Sequence, residues 1–243
     1  MAQIILNGVS KSYGKETALR NVHVEFADGV TTAVVGPSGS GKSTLLQLIN
    51  GLARPSEGTL HVFDRPIDYG RLPELRRQIG YAVQGTGLFP HLTVESNITL
   101  LARLVGWGTD RIRGRAQELM SLVGLSWDFA SRYPHQLSGG QQQRVGLCRA
   151  MMLNPPIFLL DEPFGALDPV TRQEIHQEYL RLQASEPRTM VLVTHDLREA
   201  RKLAQRLLVL DRGRIAQHGP CEEIVTAPTD DFVRTFFRSQ LDV

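Results

Sequence analysis

The fold class of this chain is decided by Val30-Thr31-Thr32-Ala33-Val34-Val35 and the glycine-rich stretch Gly36-Pro37-Ser38-Gly39-Ser40-Gly41-Lys42-Ser43 that follows. The first six residues are small and β-branched, which is typical of a strand buried in a parallel sheet. The next eight fit the pattern G-x-x-x-x-G-K-[ST], whose glycines let consecutive backbone N–H groups turn toward an anion. A helix predicted over residues 43–50 adds the positive end of its dipole. We call residues 36–43 the phosphate loop.

Three side chains at the end of the phosphate loop are candidate ligands for a nucleoside triphosphate and its metal ion. Lys42 can reach the β- and γ-phosphates, and the Ser43 hydroxyl can coordinate Mg²⁺. Thr44 supplies the next hydroxyl. The alternative is a chance match in a glycine-rich turn, but a position between a strand and a helix is what phosphate binding requires.

A second buried strand, predicted over residues 157–160, leads into the acidic pair Asp161 and Glu162. Ligands of open α/β sheets collect at the carboxyl ends of strands. Adjacent strand residues point to opposite faces, so we expect different roles for the two carboxylates. Asp161 is a candidate Mg²⁺ ligand, and Glu162 is a candidate to polarise the water that attacks the γ-phosphate. The alternative is a solvated Asp-Glu turn.

A second glycine-rich helix start lies at Leu137-Ser138-Gly139-Gly140-Gln141. Ser138 is predicted to cap a helix that runs to about Leu153, with the N–H groups of Gly139 and Gly140 pointing outward. This start can receive a phosphate. The alternative is an ordinary capped helix with an apolar face.

Taken in order, these motifs resemble the nucleotide-binding subunit of ABC (ATP-binding cassette) transporters over nearly all 243 residues. Residues 137–141 match the signature motif of that family, extended by Gln142-Gln143-Arg144. Gln84 matches the glutamine that contacts Mg²⁺ and the attacking water, and Ala166-Leu167-Asp168 matches the loop that crosses the dimer. His195 matches the switch histidine that senses the γ-phosphate, and Tyr13 matches the aromatic residue that stacks on adenine.

The resemblance implies a site shared by two copies of the chain, with ATP and Mg²⁺ as cofactors. Its catalytic residues are Glu162, His195, Gln84 and Lys42. Its metal ligands are Ser43, Gln84 and Asp161. Its ATP-binding residues are Tyr13, Gly36, Pro37, Ser38, Gly39, Ser40, Gly41, Lys42, Ser43, Thr44, Ser138, Gly139, Gly140, Gln141 and Asp168.

Several of these residues have plainer interpretations when taken singly. His195 follows a strand predicted over residues 190–194, and a lone histidine is more often a packing or surface residue. Without the resemblance, Gln84 is a surface glutamine and Tyr13 a half-buried aromatic residue. Asp168-Pro169 is first of all a helix start, with Asp as N-cap and Pro at the first helical position.

The expected fold is α/β: a P-loop NTPase core with a RecA-like mixed sheet, flanking helices and an N-terminal antiparallel β part, interrupted by an inserted α-helical subdomain. We expect one ABC ATPase domain over residues 1–243, its core at 1–87 and 153–243 and its helical subdomain at 88–152. Strands are predicted near 58–63 and 79–83, and helices over 93–105 and 109–124. Near the C-terminus we expect a hairpin-like turn at Gly219-Pro220, then two short helical stretches to Val243, with no appended sensor domain.

The composition of the chain limits the kinds of partner that we expect for it. The net charge of +2 gives no broad field for nucleic acid, so we expect no nucleic-acid partner. Cys148 and Cys221 form no metal-ligand pattern and are typical of a reducing compartment. No apolar run approaches the roughly 20 residues of a membrane helix, so the transport path must belong to transmembrane permease subunits. We therefore expect a peripheral protein at the cytoplasmic face of a bacterial-type membrane.

The resemblance is stronger to importer cassettes, and within them to those for quaternary-amine osmoprotectants such as glycine betaine, choline or carnitine. An extracytoplasmic solute-binding protein would then belong to the same system. Residues 85–91 match the region that receives a short helix of the permease, although a plain loop is the alternative. Two departures from the family, Gly165 and Gly85, lie in loops.

Three other functions remain open from the sequence. They are a soluble ATPase acting on nucleic acid or the ribosome, an importer of another small solute, and a small-molecule kinase. The kinase has no need of Leu-Ser-Gly-Gly-Gln.

Overall fold

A computed structural model of the chain describes residues 2–85 and 87–241, without the side chains of residues 2 and 241. Residues up to 76 and from 188 onward form one compact unit, and residues 77–187 form a second unit. We call them the nucleotide unit and the helical unit. The strands are β1 (Ala2–Tyr13), β2 (Glu16–Ala27), β3 (Thr31–Val35), β4 (Glu57–Val62), β5 (Arg65–Pro66), β6 (Ile79–Ala82), β7 (Ile157–Asp161), β8 (Thr189–Val193), β9 (Arg206–Asp211) and β10 (Arg214–Pro220). The helices are α1 (Lys42–Ile49), α2 (Leu72–Arg77), α3 (Val94–Leu104), α4 (Thr109–Leu122), α5 (Gly139–Met151), α6 (Pro169–Ser185), α7 (Leu197–Leu203), α8 (Cys221–Thr226) and α9 (Asp231–Leu241), with 3-10 turns at Trp127–Phe129 and Pro134–Gln136.

An antiparallel sheet of order β2-β1-β4-β5 opens the nucleotide unit. Strands β1 and β2 form a hairpin in which Tyr13 pairs with Glu16 across a turn containing Gly14, at φ 60°. Along β2, buried residues alternate with exposed ones toward the strand's end, as expected of a sheet with one face on the core. The predicted N-terminal antiparallel β part is therefore present as a four-stranded sheet, with register shifts along β1.

The phosphate loop emerges from parallel strands of the same unit. Strand β3 lies between β8 and β9 and is parallel to both, with Val34 opposite Val193 and Val35 opposite Val209. Every residue of β3 and β8 is buried, which agrees with the small, β-branched and apolar side chains that make up both strands. The carboxyl ends of these strands consequently meet at one edge of the sheet.

The predicted turn at Gly219-Pro220 is wrong. Both residues belong to β10, where they pair with Leu207 and Arg206 of β9. The hairpin turns at Arg212 and Gly213 instead, whose φ angles of 45° and 79° are those of a tight two-residue hairpin turn. Because β10 is an edge strand, a proline at its end removes no internal hydrogen bond.

The two helical stretches expected near the C-terminus are α8 and α9, although residues 242 and 243 lie outside the described part. Val233 and Phe237 of α9 and Ile224 of α8 are buried against the parallel strands of the nucleotide unit. These helices cover one apolar face of the sheet.

The helical unit contains the parallel pair β6 and β7 together with α3, α4, α5 and α6. The predicted helices over 93–105 and 109–124 correspond to α3 and α4, and Thr93 caps α3 by accepting a hydrogen bond from the Ser96 N–H at 3.2 Å. All of α3, α4 and α5 lie inside residues 88–152, whose role as a subdomain stays a prediction. Over residues 2–85 and 87–241, no helix combines the length and apolar character that crossing a bilayer demands.

Candidate functional site

The phosphate loop needs its glycines for both torsion and space. Gly36, Gly39 and Gly41 have φ angles of 148°, 76° and 105°. A Cβ on Gly36 would lie 2.1 Å from the Leu210 carbonyl oxygen, and one on Gly41 would lie 2.5 Å from the Ala18 carbonyl oxygen. Backbone atoms of β9 and β2 therefore fill the places where side chains would be.

The β9–β10 turn supports the phosphate loop through Gly213, a residue that the sequence did not single out. The Gly213 N–H donates to the Ser40 carbonyl at 3.1 Å, and the Gly213 carbonyl accepts from the Arg20 N–H at 2.7 Å. A Cβ on Gly213 would lie 2.7 Å from the Ala18 carbonyl oxygen. The hairpin, β2 and the phosphate loop thus form one backbone-to-backbone packing arrangement.

The start of α1 lacks the side-chain cap that four other helices of the described chain have. Its N-cap is Gly41, which provides no side-chain hydrogen bond to the first turn. Side-chain caps do occur on α3, α5, α6 and α7, from Thr93, Ser138, Asp168 and Asp196. Because the first N–H groups of a helix require acceptors from outside it, the start of α1 is suited to an anion.

The side chains of the phosphate loop divide into buried and accessible ones. Ser40 is buried, whereas Ser38 is exposed and Ser43 and Thr44 are half-buried. The Lys42 ammonium donates to the carbonyl oxygens of Gly36 and Pro37, at 2.8 Å each. The ammonium thus lies against the backbone of its own loop.

Tyr13 lies at the end of β1, with 49% of its surface exposed. Its hydroxyl donates to the Gln47 side chain at 3.5 Å, and the Lys11 ammonium lies 4.7 Å from its ring centroid. The ring is therefore tethered at its tip and has a cation over one face, and its predicted contact with adenine stays a prediction.

His195 follows β8 by two residues and is exposed. Since β3 and β8 are parallel neighbours, His195 and the phosphate loop lie at the same strand edge of the nucleotide unit. Asp196 next to it caps α7 by accepting from the N–H groups of Arg198 and Glu199. A fixed helix start thereby anchors the histidine segment.

The two acids of the helical unit are separated by a bend in the backbone. Asp161 is the last residue of β7 and is buried, whereas Glu162 lies beyond the strand with φ 49°. The expectation that strand alternation separates the two carboxylates is therefore wrong. The left-handed conformation of Glu162 separates them, and few non-glycine residues adopt it. We call residues 161–166 the acidic segment.

Gln84 and Glu162 are brought together by the parallel strands β6 and β7. Ala82 pairs with Leu160, so both chains leave the sheet at the same edge. The Gln84 side-chain amide donates to a Glu162 carboxylate oxygen at 3.4 Å. Nearby, burial and then the negative charge of Asp161 raise the pKa of Tyr81 to about 12.

Ser138 caps α5 as expected. Its hydroxyl accepts from the Gln141 N–H at 3.2 Å, while the Gln141 side-chain oxygen accepts from the Ser138 N–H at 2.9 Å. A Cβ on Gly139 would meet no atom within 4 Å, and one on Gly140 would lie 3.1 Å from the Ala166 carbonyl oxygen. The side chain of Gln141 thus completes a capping box, and its predicted contact with ATP stays a prediction.

Asp168 is the N-cap of α6, with Pro169 at the first helical position, as predicted. Its carboxylate accepts from the Thr171 N–H at 3.0 Å. Hydrogen bonds from the Thr171 side chain and backbone lower the pKa of Asp168. Asp168 therefore has the predicted structural role of a helix N-cap.

Two further residues of α5 hold loops of the helical unit, and the sequence assigned a role to neither. The buried Gln143 side chain donates to the Glu162 carbonyl at 2.8 Å and accepts from the Ala166 N–H at 3.0 Å. The Arg149 guanidinium donates to the Gly87 carbonyl at 2.8 Å. The sequence feature that could have indicated a buried role for Gln143 is its spacing. It lies four and seven residues from apolar positions, which places it on the same helix face as those positions.

No group of three or more His, Cys, Asp or Glu residues suited to a metal occurs in the part of the chain that the structure describes. The candidate metal ligands are divided, with Ser43 in the nucleotide unit and Gln84 and Asp161 in the helical unit. They offer a hydroxyl, an amide and a carboxylate oxygen. This oxygen set fits Mg²⁺, which typically takes one or two protein carboxylates and completes its shell with phosphate oxygens and water.

Comparisons with known proteins agree with these motifs. The ABC transporter family matches residues 19–165. The glycine betaine uptake system ATP-binding protein YehX of Escherichia coli (strain K12) is 47% identical over 97% of this chain and 77% of its own length. The choline transport ATP-binding protein OpuBA of Bacillus subtilis (strain 168) is 45% identical over 96% of this chain. The chain spans 61% of the length of OpuBA.

A solved structure has the same architecture. The dimeric post-hydrolysis state of the ATP-binding cassette MJ0796, bound to ADP and Pi, superposes with a TM-score of 0.85 at 36% identity, covering 90% of this chain and 98% of that one. The prediction of a P-loop NTPase core is confirmed by this likeness and by the mixed sheets with their helices. Motifs, fold and relatives agree, and the chain belongs to the ABC transporter family.

Proposed function

We propose that this chain binds and hydrolyses Mg-ATP and so supplies the energy for a membrane importer. The observation that carries the proposal is the start of α1, where glycines open the backbone, no side chain caps the helix and Lys42 adds a positive charge. Such a start binds phosphate through its N–H groups and its dipole. The ADP and Pi bound to cassette MJ0796 support a nucleotide as the ligand.

The acidic segment supplies the chemistry. Glu162 polarises the attacking water, and the Gln84 amide at 3.4 Å from its carboxylate orients both. His195 donates a hydrogen bond to a γ-phosphate oxygen, as a neutral imidazole can. Asp161, Ser43 and Gln84 would hold Mg²⁺, which neutralises charge on the phosphates when it is bound.

Two copies of the chain complete each site. The N–H groups at the start of α5 have open space at Gly139. We infer that Ser138 and Gly140 of one copy contact the nucleotide bound by the other copy, with Asp168 beside them. The dimeric state of cassette MJ0796 supports this arrangement.

The transported solute is a quaternary amine, carried by separate permease subunits and delivered by an extracytoplasmic binding protein. The support is the likeness to YehX and OpuBA, whose names specify glycine betaine uptake and choline transport. The chain would lie at the cytoplasmic face of the membrane, bound to the permease.

Glu162→Gln tests the hydrolytic role. We expect ATP binding to persist, a dimer to accumulate on size-exclusion columns, and turnover to fall by about 10²–10⁴-fold, because general-base catalysis contributes that much. The matched control is Glu174→Gln, which makes the same substitution at an exposed position of α6. This variant should hydrolyse ATP at the wild-type rate. Unchanged turnover in Glu162→Gln would refute the assignment.

Specific activity of the wild-type chain tests the shared site. It should rise with protein concentration, and a flat dependence in a monomeric sample would contradict two-copy sites.

The solute is tested by replacing the chromosomal copy with Glu162→Gln. Uptake of labelled glycine betaine, choline or carnitine should fall while sulfate uptake stays normal, and the reverse result would reject a quaternary amine.

A further inference from the structure

The Gln143 side chain bridges both ends of the acidic segment. Its Nε2 donates to the Glu162 carbonyl at 2.8 Å, and its Oε1 accepts from the Ala166 N–H at 3.0 Å. The same Glu162 carbonyl accepts from the Gly165 N–H at 3.3 Å. One buried amide on α5 therefore closes the turn that carries Glu162.

The conformation of Glu162 makes this bridge consequential. Its φ of 49° is uncommon for a residue with a side chain, and such conformations persist where the surroundings fix them. The bond from Gln143 fixes the carbonyl of that same residue, so it sets the direction in which the Glu162 side chain leaves the backbone. Loss of the bond would let the peptide relax toward a more common conformation.

Helix α5 links this bridge to two other loops of the helical unit. Ser138 caps its start, Gln143 lies within its second turn, and Arg149 near its end donates to the Gly87 carbonyl. Because a helix moves largely as a rigid body, a shift at its start is carried to the Glu162 backbone through the Gln143 amide.

We propose that Gln143 is a positioning residue for ATP hydrolysis, aligning Glu162 with its water according to the placement of α5. The proposal rests on the proposed function of the chain. It assigns to Gln143 no contact with nucleotide or metal. The predicted consequence is a loss in the chemical step with nucleotide binding unchanged.

Two substitutions and a control separate the amide from general stability. Gln143→Leu removes both hydrogen bonds, whereas Gln143→Glu keeps the side-chain shape but replaces the donating nitrogen with a second oxygen. When ionised, that carboxylate only accepts, but when protonated it has one O–H donor and one acceptor, as the amide does. The control is Thr99→Val, which removes the buried hydrogen bond from Thr99 to the Glu95 carbonyl on α3.

The first experiment measures amide hydrogen exchange at Ala166 without nucleotide. Exchange of its N–H should accelerate by about 10-fold or more in Gln143→Leu, because the bond that protects it is lost. Thr99→Val should leave Ala166 exchange at the wild-type rate. Unchanged exchange in Gln143→Leu overturns the proposal whether or not the chain hydrolyses ATP.

The second experiment measures steady-state ATP turnover. In Gln143→Leu, kcat should fall on the order of 10²-fold at unchanged KM, the loss that misplacing a reacting group by about 1 Å can cause. The deficit of Gln143→Glu relative to wild type should shrink as the pH is lowered. Wild-type kcat in Gln143→Leu, or an equal loss in Thr99→Val, overturns the proposal. Absence of turnover in the wild-type chain instead refutes the proposed function, while the exchange experiment still decides whether the bridge exists.

Discussion

The phosphate loop and the acidic segment are held in shape by different means. Backbone carbonyls of Leu210 and Ala18 pack where side chains of Gly36 and Gly41 would be. The acidic segment instead depends on a side chain, Gln143, and leaves room around Gly165. A shape fixed by backbone packing excludes any Cβ, whereas one fixed by a side chain depends on that residue and tolerates changes beside it.

Gly36→Ala should break the phosphate loop most severely. Its Cβ would lie 2.1 Å from the Leu210 carbonyl oxygen, and a backbone atom cannot rotate away. We expect a loss of about 3 kcal/mol or more in the free energy of unfolding, at the upper end for overpacking, together with lost ATP binding. Urea unfolding and fluorescent-nucleotide binding measure these effects.

Gly39→Ala is the control for that stability loss. Gly39 also has a left-handed φ, of 76°, but a Cβ there would meet no atom within 4 Å. Torsional strain alone predicts a cost of about 1 kcal/mol. Equal losses in the two variants would show that packing by Leu210 is unimportant.

Gly213→Ala tests whether the β9–β10 turn supports the phosphate loop from outside. Gly213 and Gly106 have φ angles of 79° and 78°, but only Gly213 has a carbonyl, that of Ala18, 2.7 Å from the added Cβ. We expect Gly213→Ala to destabilise by about 1–3 kcal/mol more than Gly106→Ala. It should also raise the Kd for Mg-ATP, measured by calorimetric titration. A Kd equal to that of Gly106→Ala would show that the β9–β10 turn does not support nucleotide binding by the phosphate loop.

Asp168→Asn should alter the pH dependence of stability by a smaller amount. Hydrogen bonds from Thr171 lower the pKa of Asp168 in the folded chain, so its ionised form is favoured there. The resulting stability is present above the unfolded-state pKa and is lost as the pH falls through the folded-state pKa. Asn caps a helix without titrating. Urea midpoints of wild type should therefore fall relative to the variant below about pH 4, near the reference pKa of Asp, and parallel curves would contradict this.

Gly165→Ala should have the smallest effect. Its added Cβ would lie 3.7 Å from the Glu162 carbonyl oxygen, an ordinary contact, and its φ is not left-handed. The free energy of unfolding should change by no more than about 0.5 kcal/mol, measured by urea unfolding beside Gly36→Ala. A loss comparable to that of Gly36→Ala would erase the contrast between the two segments.

Local patterns predicted the parts of the fold that local physics determines. The small, β-branched run before Gly36, the cap at Ser138 and the Asp168-Pro169 helix start each depend on a few neighbouring residues, and the structure contains all three features. The same holds for α3 and α4, whose bounds differ from the predicted ones by at most two residues.

The features that the sequence missed depend on distant contacts. Gly219-Pro220 has the composition of a turn, but pairing with β9 extends it into a strand. The residues near Glu162 in the sequence do not indicate its left-handed backbone, because the hydrogen bond to its carbonyl comes from Gln143 on another element. Likewise, the value of Gly213 becomes visible only beside Ser40 and Ala18.

The two bonds from the Lys42 ammonium to carbonyls of its own loop have a thermodynamic consequence. Under the proposed function, these carbonyls are the partners that a phosphate oxygen would replace. An incoming phosphate oxygen must outcompete those carbonyls for the same cation. We expect this exchange of partners to lower the net free energy that Lys42 contributes to phosphate binding under the proposed function.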